Sequence, residues 1–304
     1  MSDFDLHATI SRLFVYPIKS CAGVEVKETL LIETGLEFDR AWMVVDEQGE
    51  FMSQRELPRM ALIQPQLKQF EMVLRAPGML ALHIALDAVE KPCKVRVWDD
   101  ECPAYDMGDT AAQWFTDFLM HERPAGMKAV KLRLVRFDPE HKRLSNTTWT
   151  KGLEARNQFS DGYPILMISE ASLQDLNARL SAKGQSPVTM ERFRPNIVLS
   201  GFDAHDEDRI EQLHVASLET GHAKQSEIIL GLVKPCPRCP IPNIDPQTAI
   251  SSPEVGLMLQ TYRQDKRVDG AITFGMNAMV LSQTEAQFEL QLAVGQNVRA
   301  QLQF

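Results

Sequence analysis

Cys236 and Cys239 stand three residues apart in a stretch with prolines at 235, 237, 240, 242 and 246, and they are two of the five cysteines in a 304-residue chain. Each proline fixes its own φ, lacks an N–H and pushes the residue before it towards extended conformations. Both cysteines precede a proline, so neither is expected in a helix, and the segment should present a thiol beside Arg238 in a rigid frame. Several chemistries use cysteines at this spacing. A structural zinc site needs four ligands, usually two such pairs or one pair with paired histidines. Cys21, Cys93 and Cys102 form no second pair, and the seven histidines are scattered. A thiol redox pair draws its reactivity from a helix N-terminus, which Pro237, Pro240 and Pro242 oppose. A single thiolate holding a soft metal remains, beside the plainer alternatives of two structural thiols or an incidental disulfide.

Two further segments carry polar groups that could grip a ligand. Tyr16-Pro17-Ile18-Lys19-Ser20 ends a β-rich run in a turn, and Phe38-Asp39-Arg40 follows twenty residues later. A lysine and a serine in such a turn can hold a phosphate by charge and hydroxyl, although the same residues are equally an ordinary surface turn. The glycines and the G-K-[ST] ending of a P-loop are missing. Phe193-Arg194-Pro195-Asn196 leads into an apolar strand. Alternation along an extended segment puts Arg194 and Asn196 on one face, suited to a planar heterocycle, an anion or a surface ion pair. Asp161, Ser169 and Ser172 show no independent catalytic pattern, and Ser169 reads as a helix cap.

The elements that must position these groups follow from periodicity and turn chemistry. Short apolar or alternating runs predict strands over residues 10–18, 24–32, 41–46, 80–86 and 94–98, with a hairpin turn at 47–50. Ala112, Trp114, Phe115, Phe118 and Leu119 make one broad apolar helix face, with Asp109 or Thr110 as its cap. A polar stretch over 138–162 precedes a strand from Tyr163 to Ile168 and a helix over 169–182. Ser252 should cap another helix, with Pro253 at its first position. The fold class expected is a β-rich α+β protein whose two parts meet near residue 130.

Composition narrows the partners. Thirty-two basic against forty-one acidic residues give a net charge of −9, which argues against a nucleic-acid polymer as main partner. The first residues lack a basic and apolar signal pattern, and no apolar run reaches the ~18 residues of a membrane span. With an odd number of scattered cysteines, a reducing cytoplasm is the expected compartment.

Taken together and in order, Tyr16–Ser20, Asp39-Arg40, residues 108–114, 168–177 and 193–201, and Arg238-Cys239 resemble the MOSC family, in particular its two-domain members of the amidoxime-reducing type. The resemblance spans essentially the whole chain, and it implies a smaller mixed α/β domain over 8–129 and a β-barrel domain over 130–304, with the first strands able to join the barrel. It implies a molybdenum cofactor, a pterin whose dithiolene binds molybdenum, with Cys239 as protein ligand to the metal. It further implies that Lys19, Ser20 and Arg40 hold the phosphate and pterin side, that Gly162, Tyr163, Arg194 and Asn196 line the pterin, and that Arg238 lies beside the metal. Where relatives often carry a small hydroxyl residue and a threonine pair, this chain has Pro237, Pro242 and Asn243, which makes Asn243 a substitute donor. The activity implied is reduction of N-hydroxylated compounds such as amidoximes, hydroxylamines and N-hydroxylated nucleobases. Electrons would come from a separate flavin reductase or a ferredoxin- or cytochrome-b5-like protein. A non-catalytic carrier or storage protein for the cofactor is the alternative.

Overall fold

A computed structural model of the chain describes residues 4–216, 219–220, 223–224, 227–282 and 290–303. Seven strands close into a barrel: β1 (Leu6–Val15), β6 (Ile165–Ser169), β7 (Ile197–Ser200), β8 (Ile210–Val215), β9 (Ile228–Pro237), β10 (Ala271–Val280) and β11 (Asn297–Leu302). Their order around the ring is β6-β7-β1-β11-β8-β9-β10, and β10 pairs back onto β6. Six of these pairings are antiparallel and one, β6–β7, is parallel. Seven strands cannot alternate direction all the way round a closed ring, so one parallel pair is unavoidable. A parallel neighbour needs a long crossover, and helix α2 (Glu170–Ala182) supplies it between β6 and β7.

Branched and aliphatic side chains fill the barrel, among them Ile10, Leu13, Met167, Ile197, Leu213 and Leu230. On β1 the inward residues run Ala8, Ile10, then Leu13, Val15. The register slips between Ile10 and Arg12, and this bulge shifts the alternation by one residue. The outward face after the bulge carries Phe14 and then Tyr16, which pack in a different cluster against α2 and α3 (Glu254–Gln260).

The second part is an antiparallel sheet in the order β2 (Trp42–Val45), β5 (Arg133–Phe137), β4 (Asp100–Asp106), β3 (Lys91–Val97). Helix α1 (Gly108–His121) covers it through Phe115, Phe118 and Leu119, which meet Trp42, Met60, Leu132 and Leu134. Sheet membership crosses the expected division at 129/130 in both directions. β1 pairs into the barrel, as anticipated for the first strands, whereas β5, beyond residue 130, is hydrogen-bonded to β2 and β4, which the expected division did not include. The α1 cap also differs from expectation. Asp109 and Thr110 lie inside the helix, and the Asp106 carboxylate accepts the Gly108 N–H at 2.8 Å instead. Among the described residues no helix is long and apolar enough to cross a membrane.

The barrel seam is tightest at Gly275 on β10, where the pairing with β9 skips from Met276 to Thr273. Its φ is +80°, and a Cβ there would stand 2.6 Å from the Met167 carbonyl oxygen and 2.5 Å from Ile168 Cγ1. Both the left-handed backbone and the contact with β6 call for glycine. Gly275→Ala should therefore destabilise the protein by about 2–4 kcal/mol, read as a lower midpoint in denaturant unfolding at an unchanged m-value.

Candidate functional site

Nine of the ten residues singled out from the sequence line one cleft between the barrel and the second part: Lys19, Ser20, Arg40, Gly162, Tyr163, Arg194, Asn196, Arg238 and Cys239. The topology explains the convergence. After Val15 the chain leaves the barrel, and Ile18 plugs the core of the second part while forming a bridge to Trp42. Lys19 and Ser20 are thereby held at the junction, both 5% exposed. The 238–239 turn sits at the end of β9, and 193–196 leads into β7 beside β6.

Tyr16 is the centre of the arrangement. The guanidinium carbons of Arg40 and Arg194 each stand 4.4 Å from its ring centroid. Arg40 donates to Asp39 Oδ2 at 2.5 Å, to Asn196 Oδ1 at 3.1 Å and to the Arg194 carbonyl at 3.1 Å. Asp39 also accepts the Tyr16 N–H at 2.8 Å. Arg194 donates to the Cys21 carbonyl at 2.6 Å. Burial, reinforced by the charge of Arg40, pulls the Arg194 pKa down to about 10. Ser20, Arg40 and Arg194 all adopt left-handed backbone, with φ of 68°, 50° and 58°. Non-glycine residues take up this strain chiefly where the surroundings over-determine them, as at ligand sites.

Asn196 behaves differently from its expected role as a free grip on a heterocycle. Its amide is 1% exposed and is occupied on both sides, donating to the Phe14 carbonyl and accepting from the Leu166 N–H and Arg40. It joins β1 to β6 and aims Arg40. Asn243 is not part of the cleft lining. Its Oδ1 accepts the Gly256 N–H at 2.8 Å, so it caps α3, a task the sequence suggested for Ser252. Helix α3 starts at Glu254 with no side-chain bond from its N-cap residue Pro253, and Asn243 takes up the Gly256 N–H in its first turn.

The two cysteines are not equivalent. Cys236 lies at an irregular step of β9, and its sulfur accepts from Arg238 Nη1 at 3.1 Å. Burial raises its thiol pKa, with Arg238 opposing. Cys239 is exposed at the cleft in the turn before Ile241–Asn243. Arg238 turns its other nitrogen to the Phe193 carbonyl at 2.9 Å. The arginine therefore steadies Cys236 rather than Cys239. Among the described residues, no cluster of three or more Cys, His, Asp or Glu side chains could hold a metal by protein ligands alone.

Sequence reasoning overlooked the wall supplied by Phe51, Ser53 and Arg55, and it set Asp161 aside. Lys19 Nζ donates to Asp161 Oδ1 at 2.6 Å and to the Phe159 carbonyl at 2.8 Å, and Trp98 Nε1 donates to the same carboxylate oxygen at 3.2 Å. Burial lowers the Lys19 pKa against the pull of Asp161. Desolvation would raise the Asp161 carboxyl, but Lys19 and Trp98 outweigh it and hold it below the ordinary carboxylate range. No local motif marks this pair, because 142 residues separate its members.

The cleft therefore carries five cationic side chains, Lys19, Arg40, Arg55, Arg194 and Arg238, against one carboxylate, Asp161. This inverts the sign of a chain whose net charge is −9. Two buried polar atoms in its lining, Tyr163 Oη and Arg238 Nε, have no partner among the described residues. The Tyr163 pKa is pushed up to about 12 by burial, so its hydroxyl stays protonated and can donate.

Known proteins resemble this chain over most of its length. The profile of the MOSC N-terminal beta barrel domain matches residues 7–122, and that of the MOSC domain matches residues 154–299. Mitochondrial amidoxime reducing component 2 of Rattus norvegicus is 37% identical over 266 residues, covering 84% of this chain and 72% of that protein. The chain belongs to the MOSC family. Mitochondrial amidoxime-reducing component 1 of Homo sapiens is 34% identical over 265 residues, with 84% and 72% covered. Molybdenum cofactor sulfurase of Bos taurus is 30% identical over 297 residues, 91% of this chain but 31% of that protein. In this MOSC chain the matched segments include the two parts that face each other across the cleft.

The Lys19–Asp161 contact makes a titration prediction. The folded Asp161 pKa lies below its unfolded value of about 4, so the stability it contributes is present above that value and lost as pH falls through the folded pKa. Lys19→Met removes the main depressing charge. The Asp161 pKa should then rise and the acid-side loss move to higher pH, which carboxyl ¹³C NMR titration of both forms would follow.

Proposed function

We propose that this MOSC protein is a molybdenum-cofactor-dependent reductase of N-hydroxylated compounds, taking amidoximes, hydroxylamines or N-hydroxylated nucleobases as substrates. The observation that carries the reading is the exposed Cys239 thiol on a cleft with five cations, one carboxylate and two unpartnered buried donors. That donor set fits a phosphorylated pterin with a thiolate-bound soft metal. The names of the relatives, amidoxime-reducing components and molybdenum cofactor sulfurase, support the same chemistry.

When bound, the cofactor supplies two-electron oxygen-atom chemistry at a metal held by dithiolene sulfurs. The chain's contribution is binding, orientation and electrostatics. Cys239 is the metal ligand. Lys19, Ser20 and Arg40 hold the phosphate, with Asp39 and Asn196 fixing Arg40 from behind. Tyr163 and Gly162 flank the pterin. A Cβ at Gly162 would meet nothing within 4 Å, so the space beside it is open to a ligand. Arg238 steadies the Cys236 thiol and offers its free Nε to the cleft. The depressed Asp161 carboxyl stays ionised near neutral pH and accepts hydrogen bonds rather than donating a proton. Electrons arrive from a separate flavin reductase or a ferredoxin- or cytochrome-b5-like protein, in keeping with relatives named as components of a larger system.

Loading with the cofactor, followed by elemental analysis and benzamidoxime reduction driven by a chemical reductant, tests this reading. Wild type should bind molybdenum and consume the substrate. Cys239→Ala should lose molybdenum affinity by on the order of 100-fold, whereas Cys236→Ala should keep its metal because its sulfur faces Arg238. Equal molybdenum in wild type and Cys239→Ala overturns the assignment of the ligand. Stable molybdenum with no reduction would favour a cofactor carrier.

A further inference from the structure

Trp98 sits at the tip of the β3–β4 hairpin, in a loop of two residues between the paired Val97 and Asp100. Its φ is 55°. Two-residue hairpin loops demand positive φ at such positions and favour glycine, asparagine or aspartate there. A bulky aromatic is strained in this conformation. Burial does not account for its presence, since the residue is 42% exposed. The turn itself would be better served by a smaller residue, so the side chain is what the position retains.

That side chain is held from three directions. Its indole N–H donates to Asp161 Oδ1 at 3.2 Å, on a carboxylate already fixed by Lys19. The Arg55 guanidinium carbon lies 4.6 Å from its ring centroid, and the Phe51 ring meets it edge-on at 5.0 Å. Asp161, Arg55 and Phe51 all line the candidate cofactor cleft. A rigid, partly open indole thus stands at the edge of that cleft, contributed by the second part of the protein.

Resting on the reductase reading above, we propose that Trp98 is a specificity-determining residue whose ring stacks against planar aromatic N-hydroxylated substrates, such as aryl amidoximes or N-hydroxylated nucleobases. Asp161, Arg55 and Phe51 are positioning residues that hold the ring in place. Stacking on an aromatic side chain is tolerant of the detailed substituents of the ring it meets, so the selection is for planarity and π-surface rather than for one compound.

Trp98→Gly tests the assignment because glycine suits the turn while removing the ring. Cofactor-loaded wild type and variant are compared on benzamidoxime and on a small aliphatic hydroxylamine. The ratio of kcat/KM for the aromatic over the aliphatic substrate should fall roughly tenfold, the loss residing in KM, and the thermal midpoint should hold or rise. In parallel, saturation-transfer NMR reads benzamidoxime binding to the cofactor-free protein, where wild type should give signal and Trp98→Gly should lose it. An unchanged ratio with unchanged binding overturns the inference. So does a fall in thermal stability that weakens both substrates alike, which would mark Trp98 as a clasp between hairpin and barrel. If wild type binds benzamidoxime through Trp98 yet reduces nothing, the reductase reading fails while this one stands.

Discussion

Two guanidiniums flanking one buried phenol ring is the constraint on which the rest of the site depends. Arg40 and Arg194 are like charges brought close together in a poorly solvated place, where repulsion is weakly screened. One carboxylate, Asp39, sits with them, and each arginine spends further donors on backbone carbonyls. The cluster is stable only while those acceptors stay fixed, and they belong to three different chain segments. A site of this kind holds its positive charge ready for an anion, since the groups that would relax it are already committed to positioning.

The barrel exists in a form that serves this cluster. The bulge on β1 turns Tyr16 outwards and sends the next residues into the second part's core. Asn196 stitches β1 to β6 at the same level and passes its remaining capacity to Arg40. The parallel β6–β7 pair places 193–196 beside the end of β9, where the turn carrying Arg238 and Cys239 begins. A seven-stranded ring needs one such pair, and here it falls at the edge of the cleft. The same residues therefore shape both the fold and the cleft, and substitutions at Asn196 or Asp39 would disturb the two together.

Charge is arranged against the average of the chain. A chain with a net charge of −9 carries a cleft with a surplus of cations, which favours one small anionic ligand over an extended polyanion. Asp161 moderates that surplus at Lys19 and accepts the Trp98 indole N–H through the same oxygen. The left-handed backbones of Ser20, Arg40, Arg194 and Trp98 concentrate local strain around one cavity.

What the sequence determined by itself was the local chemistry. Proline placement predicted non-helical cysteines, alternation predicted the strands, Ser169 was legible as the cap of α2, and the order of short motifs pointed to the family. Only the tertiary structure decided which of these groups meet. Lys19 and Asp161 pair across 142 residues, Asn243 is drawn away to cap α3, Arg238 turns to Cys236, and β5 pairs with the part opposite to the one that its place in the chain suggests. The physical reason is that φ preferences and side-chain periodicity are set by neighbours a few residues away. Hydrogen-bond partners and burial are set by strand pairing and ring closure, which leave no local mark in the order of residues.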